Sequence, residues 1–402
     1  MNSVTSTPLL HAFDQQEELF SSAFSVLTDA ISNRAFPAAA VAVSRRDGLV
    51  ALKSLGRFTY EPDSPLVTNA TLFDVASVTK AVATTTMAMM LYERGLFELE
   101  APVVGVVPQF MADTCGEPDA RRRDVTFRML LAHSAGLPAY EKLFLQAPTR
   151  EALLRAAFTT SLSTDPGTHA EYSDIGFIIL GAALEHLAGE PLNVFCQREI
   201  FGPLAMLNST FDPPMDARRQ IPPTADERAE AQYGSGAAAR DRPTGKSVPE
   251  LSTPARSTFR QRIIQGEVQD ENASVLDGVA GHAGLFSTAE DLARFAHTML
   301  HAGSPILRRE TVELFTRREL APPETSRALG WDTPSALSQS GKYFGARSFG
   351  HLGYTGTSLW IDPDRQLSII LLTNRTWPDC ANQAIRQVRP RFHDAIADAV
   401  HK

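Results

Sequence analysis

Cysteine is scarce in this chain. Cys115, Cys196 and Cys380 are the only three in 402 residues. Their odd number and wide spacing exclude a disulfide framework and match no metal-binding pattern, which suits a reducing compartment. Dense basic stretches are missing too. Arg121-Arg122-Arg123 and the arginines between 386 and 391 are local, the formal net charge is −8, and no nucleic-acid-binding signature results. No apolar run approaches the length of a membrane span. The first residues, Met1-Asn2-Ser3-Val4-Thr5-Ser6-Thr7-Pro8, lack the basic start and apolar core of a signal peptide. The simplest expectation is a soluble cytoplasmic protein, or a periplasmic one if a leader has been trimmed. What remains is ordinary globular material, 43% hydrophobic and 21% charged, with ample substance for a large core. No internal repeat is visible.

Hydrophobic patterning places strands at both ends and helices in the middle. Residues 14–34 read as a helix with Phe20, Phe24, Leu27 and Ile31 on one stripe. Ala39–Val43 and Leu49–Leu55 read as strands joined by a turn at Arg46-Asp47-Gly48. Helices are expected from Ser77 to Gly95, and over Thr126–Ala132, Ser173–Leu187 and Leu192–Glu199. Residues 212–262 are polar and rich in Pro, Arg and Ala, and read as a long surface insertion. Gly281–Phe286 reads as a tight turn into a helix capped by Ser287, with Glu290 completing a capping box. Strands return at His351–Thr355, Ser358–Asp362 and Leu367–Thr373, before a closing helix over Asn382–Val400. One sheet built from both chain ends is expected, over 1–75 and 306–402. A mainly helical lobe, 76–305, is expected between them.

The chemistry concentrates at Ser77 and Lys80, in Phe73-Asp74-Val75-Ala76-Ser77-Val78-Thr79-Lys80. A three-residue spacing brings both side chains to one face of a helix, one turn apart. A serine hydroxyl is a poor nucleophile until a neighbour takes its proton or a nearby charge eases its loss. Unsatisfied N–H groups at a helix start also favour negative charge there. The lysines are Lys53, Lys80, Lys142, Lys246, Lys342 and Lys402, and only Lys80 has a serine three residues before it.

Further along come His133-Ser134-Ala135-Gly136, then Tyr172-Ser173-Asp174, then His351-Leu352-Gly353. In this order the motifs resemble the serine β-lactamase and penicillin-binding-protein superfamily. That superfamily carries Ser-x-x-Lys, then Ser-Asp-Asn or Tyr-x-Asn, then Lys-Thr-Gly. The resemblance is to the class C β-lactamase-like branch of D,D-carboxypeptidases, D-aminopeptidases and esterases. It spans residues 37–374 apart from 212–262. Residues 266–273 through 281–286 resemble a penicillin-binding-protein-4B-like subgroup.

The resemblance implies a β-lactamase/transpeptidase-like α+β fold: an antiparallel sheet flanked by terminal helices, with an inserted helical lobe. It implies that Ser77 is acylated, that Lys80 holds a positive charge or shuttles a proton beside it, and that Tyr172 is the partner base. The oxyanion hole falls to the backbone N–H groups of Ser77 and Tyr354. Gly353 lets substrate backbone approach closely. No metal or organic cofactor is implied, and the partner is a small-molecule or peptide substrate.

Two departures bear on that substrate. Asp174 stands where Asn is usual, and an ionised carboxylate only accepts hydrogen bonds. It can keep Lys80 protonated, or it can cap the helix it starts. His351 and Leu352 replace the lysine and hydroxyl residue that help hold a substrate carboxylate. An imidazole with a pKa near ~6.5 is mostly neutral at pH 7. Weak β-lactamase activity at best is expected, with esters and D-amino-acid amides or peptides preferred, unless an arginine such as Arg347 supplies the charge. His133 reads as structural, and His282, in the glycine turn, as structural or rim-lining.

Two rivals stand beside this reading. Ser134 resembles the nucleophile elbow of α/β-hydrolases, but helical spacing precedes it and Pro138 follows. A non-catalytic binding or sensor protein on the same fold is the second, favoured by the altered third motif.

Overall fold

The computed structural model describes residues 8–113, 115–230 and 259–401. Hydrophobic runs from opposite ends of the chain meet in one sheet. Ala38–Arg45 and Gly48–Gly56 form an antiparallel hairpin, with Arg46 at a positive φ of 53° in its tight turn. Ala38–Arg45 pairs antiparallel with Leu367–Thr373, and the ladder continues to Ser358–Asp362 and Phe349–Leu352. A sixth strand, Leu10–His11, joins parallel at the edge beside Gly48. The antiparallel expectation therefore needs one correction, at a two-residue strand too short to carry an alternating pattern.

Alternation sorts the two faces of the sheet. Val41, Val43, Ile369 and Leu371 pack with Phe20, with Phe24 and Leu27 of Ser21–Ser32, and with Phe392 and Ile396 of Ile385–His401. Ala38, Ala40, Ala42, Ile370 and Leu372 share the other core with Leu292 and Phe295 of Ala289–Leu300. The small alanines on this face let that helix lie close. Its cap is Thr288, whose Oγ1 accepts from the Asp291 N–H at 3.1 Å. The expected cap at Ser287 is one residue early: Ser287 ends the strand Leu285–Ser287 and meets the Ser209 hydroxyl at 2.8 Å. Thr288 and Asp291 offer the same spacing as Ser287 and Glu290, so pattern alone did not separate them.

Of the stretch 212–262, residues 231–258 lie outside the described residues. Its described flanks belong to the body of the fold. Ala225–Asp226 pairs with Ile263–Ile264, Ile221 and Thr224 are buried, and buried Arg260 donates to Glu227 and to the carbonyls of Val268 and Gln269. Among the described residues no single helix is long and apolar enough to cross a membrane.

Candidate active site

Ser77 stands on a tight turn at the head of its helix. Buried Asp74 ends the strand Phe73–Asp74 and accepts from the N–H groups of Ala76 (2.8 Å) and Gln269 (2.7 Å). Burial pushes this carboxyl up to about 6, against the pull of those two bonds. Ala76 turns the chain at φ 47°. The helix opens at once, winding as a π segment over Lys80–Thr85 before the α segment Thr86–Glu93. Ser77 and Lys80 meet as their spacing predicts, with Nζ 2.9 Å from Oγ.

Lys80 is fully buried and its ammonium is satisfied. Nζ also donates to Asp174 Oδ1 at 2.7 Å and to the His282 carbonyl at 3.0 Å. Burial alone would lower the lysine's pKa; Asp174 and Tyr172 outweigh it and hold it above its ordinary value. Tyr172 lies beside this pair, with Lys80 Nζ 4.9 Å from its ring centre. Burial raises its phenol pKa, with Lys80 opposing. The resting pair at neutral pH is therefore a Lys80 ammonium beside a Tyr172 phenol.

Asp174 is not the cap of the helix Asp174–Ala188. Ser173 holds that place: its Oγ accepts from the Gly176 N–H at 3.0 Å and donates to the Pro138 carbonyl at 2.7 Å. The Asp174 carboxylate faces Lys80 instead.

His351 lies buried in Phe349–Leu352. Its Nδ1 is 2.8 Å from the Leu352 carbonyl, which only accepts, so the proton sits on Nδ1. Nε2 is left as an acceptor and has no hydrogen-bond partner among the described residues. Burial, reinforced by the Lys80 charge, pushes this imidazole down to about 3. His351 is thus neutral, and its ring centre lies 6.0 Å from that of Tyr172.

The strand expected over His351–Thr355 stops at Leu352, because the next residues form a turn. The Gly353 N–H donates to the Thr357 carbonyl at 2.8 Å. A Cβ at Gly353 would stand 1.8 Å from Thr357 Oγ1 and 2.5 Å from the Val75 carbonyl, so only glycine fits. The hydroxyls of Thr355 and Thr357 donate to the carbonyls of Asp74 (2.7 Å) and Val75 (3.0 Å). Arg375 donates to the Tyr354 carbonyl, and buried Arg389 to those of Gly353 and Thr357. These bonds hold the Tyr354 segment against the serine turn.

Other expectations resolve plainly. His282 is buried with Nε2 2.9 Å from Asp270 Oδ1, and it reaches the site through its carbonyl. His133 accepts from the Ser173 N–H through Nδ1 at 3.0 Å, and its ring packs 4.5 Å from that of Tyr172. Ser134 follows the helix Phe127–Leu131, where an elbow would need a strand. Arg347 pairs with Asp364 at 3.0 Å with a 70% exposed side chain, and no contact brings it to Tyr172 or His351. Sequence reasoning missed Arg327, whose guanidinium carbon lies 5.2 Å from the Tyr172 ring centre. Asp47, His297 and His301 form a metal-capable grouping; it shares no residue with this site.

The beta-lactamase family model matches residues 20–389. An N-acetylmuramyl-L-alanine amidase of Bacillus subtilis (strain 168) is 31% identical over 322 residues, covering 76% of this chain and 68% of the relative. A putative D-alanyl-D-alanine carboxypeptidase of Escherichia coli (strain K12) is 27% identical over 329 residues, covering 77% and 70%. The fold matches EstCE1, a hydrolase with promiscuous acyltransferase activity, at TM-score 0.70 and 22% identity, over 94% of this chain and 98% of that one. It also matches a penicillin-binding-protein homologue from Caulobacter crescentus at TM-score 0.69 and 17% identity, over 95% and 98%. The chain belongs to the beta-lactamase family, and it is a serine hydrolase of that family with an α+β, transpeptidase-like fold.

Proposed function

We propose that this enzyme cleaves an ester, amide or D-amino-acid peptide bond by acylating Ser77. The observation that carries the reading is the set around the nucleophile: Lys80 donates to Ser77, Asp174 and the His282 carbonyl, and its Nζ lies 4.9 Å from the Tyr172 ring centre. In the active form Tyr172 has lost its proton, and the adjacent Lys80 ammonium stabilises the phenolate. Ser77 Oγ attacks the carbonyl carbon as its proton passes to Tyr172 Oη. The oxyanion is taken up by the N–H groups of Ser77 and Tyr354. Tyr172 then returns the proton to the leaving group, and water releases the acyl group by the same route in reverse. The names of the relatives, an amidase and carboxypeptidases, support amide and D-alanyl peptide bonds. A neutral His351 in place of a lysine argues for weak β-lactamase activity at best.

The test is p-nitrophenyl butyrate hydrolysis by wild type and Ser77→Ala. Turnover by the wild type should fall at least about a thousandfold in the variant. Activity that survives in Ser77→Ala would move the chemistry to another residue.

A further inference from the structure

Asp47, His297 and His301 lie apart from the nucleophile and have a chemistry of their own. His297 and His301 are four residues apart, so both rings stand on one face of the helix Ala289–Leu300 and its C-cap, His301. Their ring centres are 4.2 Å apart. Asp47 comes from the hairpin turn between Ala38–Arg45 and Gly48–Gly56. One donor atom from each of the three lies within 4.8 Å of the other two.

Hydrogen bonding fixes what His301 can do. Its Nδ1 is 2.9 Å from the His297 carbonyl, which only accepts, so Nδ1 carries a proton. Nε2 is 3.0 Å from Asp47 Oδ1. In the neutral ring Nε2 holds a lone pair, and an ionised carboxylate also only accepts. Two acceptors face each other at this distance only with a cation between them, either a proton on Nε2 or a metal ion. An Nδ1–H held by a backbone carbonyl is the arrangement that orients a metal-binding imidazole and leaves Nε2 as the ligand. Donors that share one Zn²⁺ at about 2.0–2.2 Å stand roughly 3–3.5 Å from each other, close to the separation of Nε2 and Oδ1. His297 completes the set by a side-chain adjustment of at most about 1.5 Å, the gap between the 4.8 Å limit and that spacing.

The surroundings favour a cation. The helix presents its last carbonyls, the negative end of its dipole, at His301. Arg294, one turn before His297, is engaged by Glu290 at 2.8 Å. The Asp47 side chain is 54% exposed and that of His301 24%, so an ion can enter from solvent and keep a water as a further ligand. Two imidazoles and a carboxylate suit Zn²⁺ and its neighbours, whereas Mg²⁺ and Ca²⁺ prefer oxygen ligands throughout.

We propose that Asp47, His297 and His301 bind a late first-row divalent ion, Zn²⁺ foremost, which ties the hairpin turn to the end of the helix Ala289–Leu300. Its role is structural. The strand Leu367–Thr373 runs from Leu367, paired with Arg45 beside this turn, to Thr373, whose hydroxyl donates to the Thr355 carbonyl next to the serine turn. A full strand length therefore separates the ion from Ser77. The edge strand Leu10–His11 hangs on the same turn, because the Leu10 N–H donates to the Asp47 carbonyl at 2.7 Å. Fixing Asp47 fixes that strand as well.

The test is calorimetric titration of Zn²⁺ into the untagged, chelator-treated full chain, beside His301→Ala and Asp47→Asn. Wild type should take up about one ion per chain at micromolar concentration, and each variant should bind at least about tenfold more weakly, because a ligand is lost. Both positions reach solvent, so neither substitution disturbs the core. His297→Ala should behave the same way where its metal-free thermal midpoint matches wild type; the two solvent-facing variants decide otherwise. Saturating Zn²⁺ should also raise the thermal midpoint of wild type by a few degrees and leave both variants unmoved. Wild type that takes up no Zn²⁺ up to millimolar concentration would overturn the inference and leave a proton between His301 and Asp47. Binding that either variant keeps at full strength would overturn it too, placing the ion elsewhere. Binding lost in both variants with no rise in the wild-type midpoint would uphold the ligands and overturn the structural role.

Discussion

Asp174 gives the nucleophile's surroundings an extra negative charge where an amide is usual. Its carboxylate holds the Lys80 ammonium at 2.7 Å and also raises the pKa of Tyr172. The active form needs Tyr172 without its proton, so activity rises as pH rises through the titration of the Lys80–Tyr172 pair. Asp174→Asn removes a charge that disfavours the phenolate. The rising limb of the kcat/KM–pH profile should therefore move to lower pH. A limb that stays put or moves up would show that Tyr172 is not the titrating base. His351 marks the complementary limit at this scale. Its neutrality comes from burial and from the Leu352 carbonyl at Nδ1, so lowering pH into the usual histidine range does not make it a substitute for the missing lysine.

At the scale of elements, the site hangs on short connections between distant segments. Ser173 caps the helix that begins at Asp174 and also ties it to Pro138. Ser173→Ala loses the cap and leaves the Pro138 carbonyl without that donor. Stability should fall by roughly 1–2 kcal/mol, read as a lower midpoint in urea unfolding. An unchanged midpoint would mean that the helix is held by packing alone. The same scale explains what the sequence disclosed and what it hid. Ser77, Lys80, Tyr172 and His351 were legible because each sits in a short motif and the motifs come in a telling order. The helix caps were half legible, since Ser287 and Thr288 compete for one pattern. The His282 carbonyl, the fork of Arg389 on Gly353 and Thr357, and the placement of Arg327 were not legible. A backbone acceptor carries no side-chain signal, and an arginine reveals its partner only when distant segments meet.

For the whole molecule, the sheet closes the chain on itself. Ala38–Arg45 from one end pairs with Leu367–Thr373 from the other, which brings the turn after His351 onto the turn that presents Ser77. The layered sheet and its flanking helices were legible from hydrophobic alternation, while the parallel edge strand Leu10–His11 was too short to announce itself. The relatives carry amidase and carboxypeptidase names, and the reaction proposed for this chain is transfer of an acyl group. The central claim is that this group passes through Ser77. Wild type mixed with p-nitrophenyl butyrate, quenched in acid during turnover and mapped by peptide mass spectrometry, should carry a butyryl group on Ser77. Butyryl on another residue such as Ser134, or turnover with none on the protein, would contradict the account.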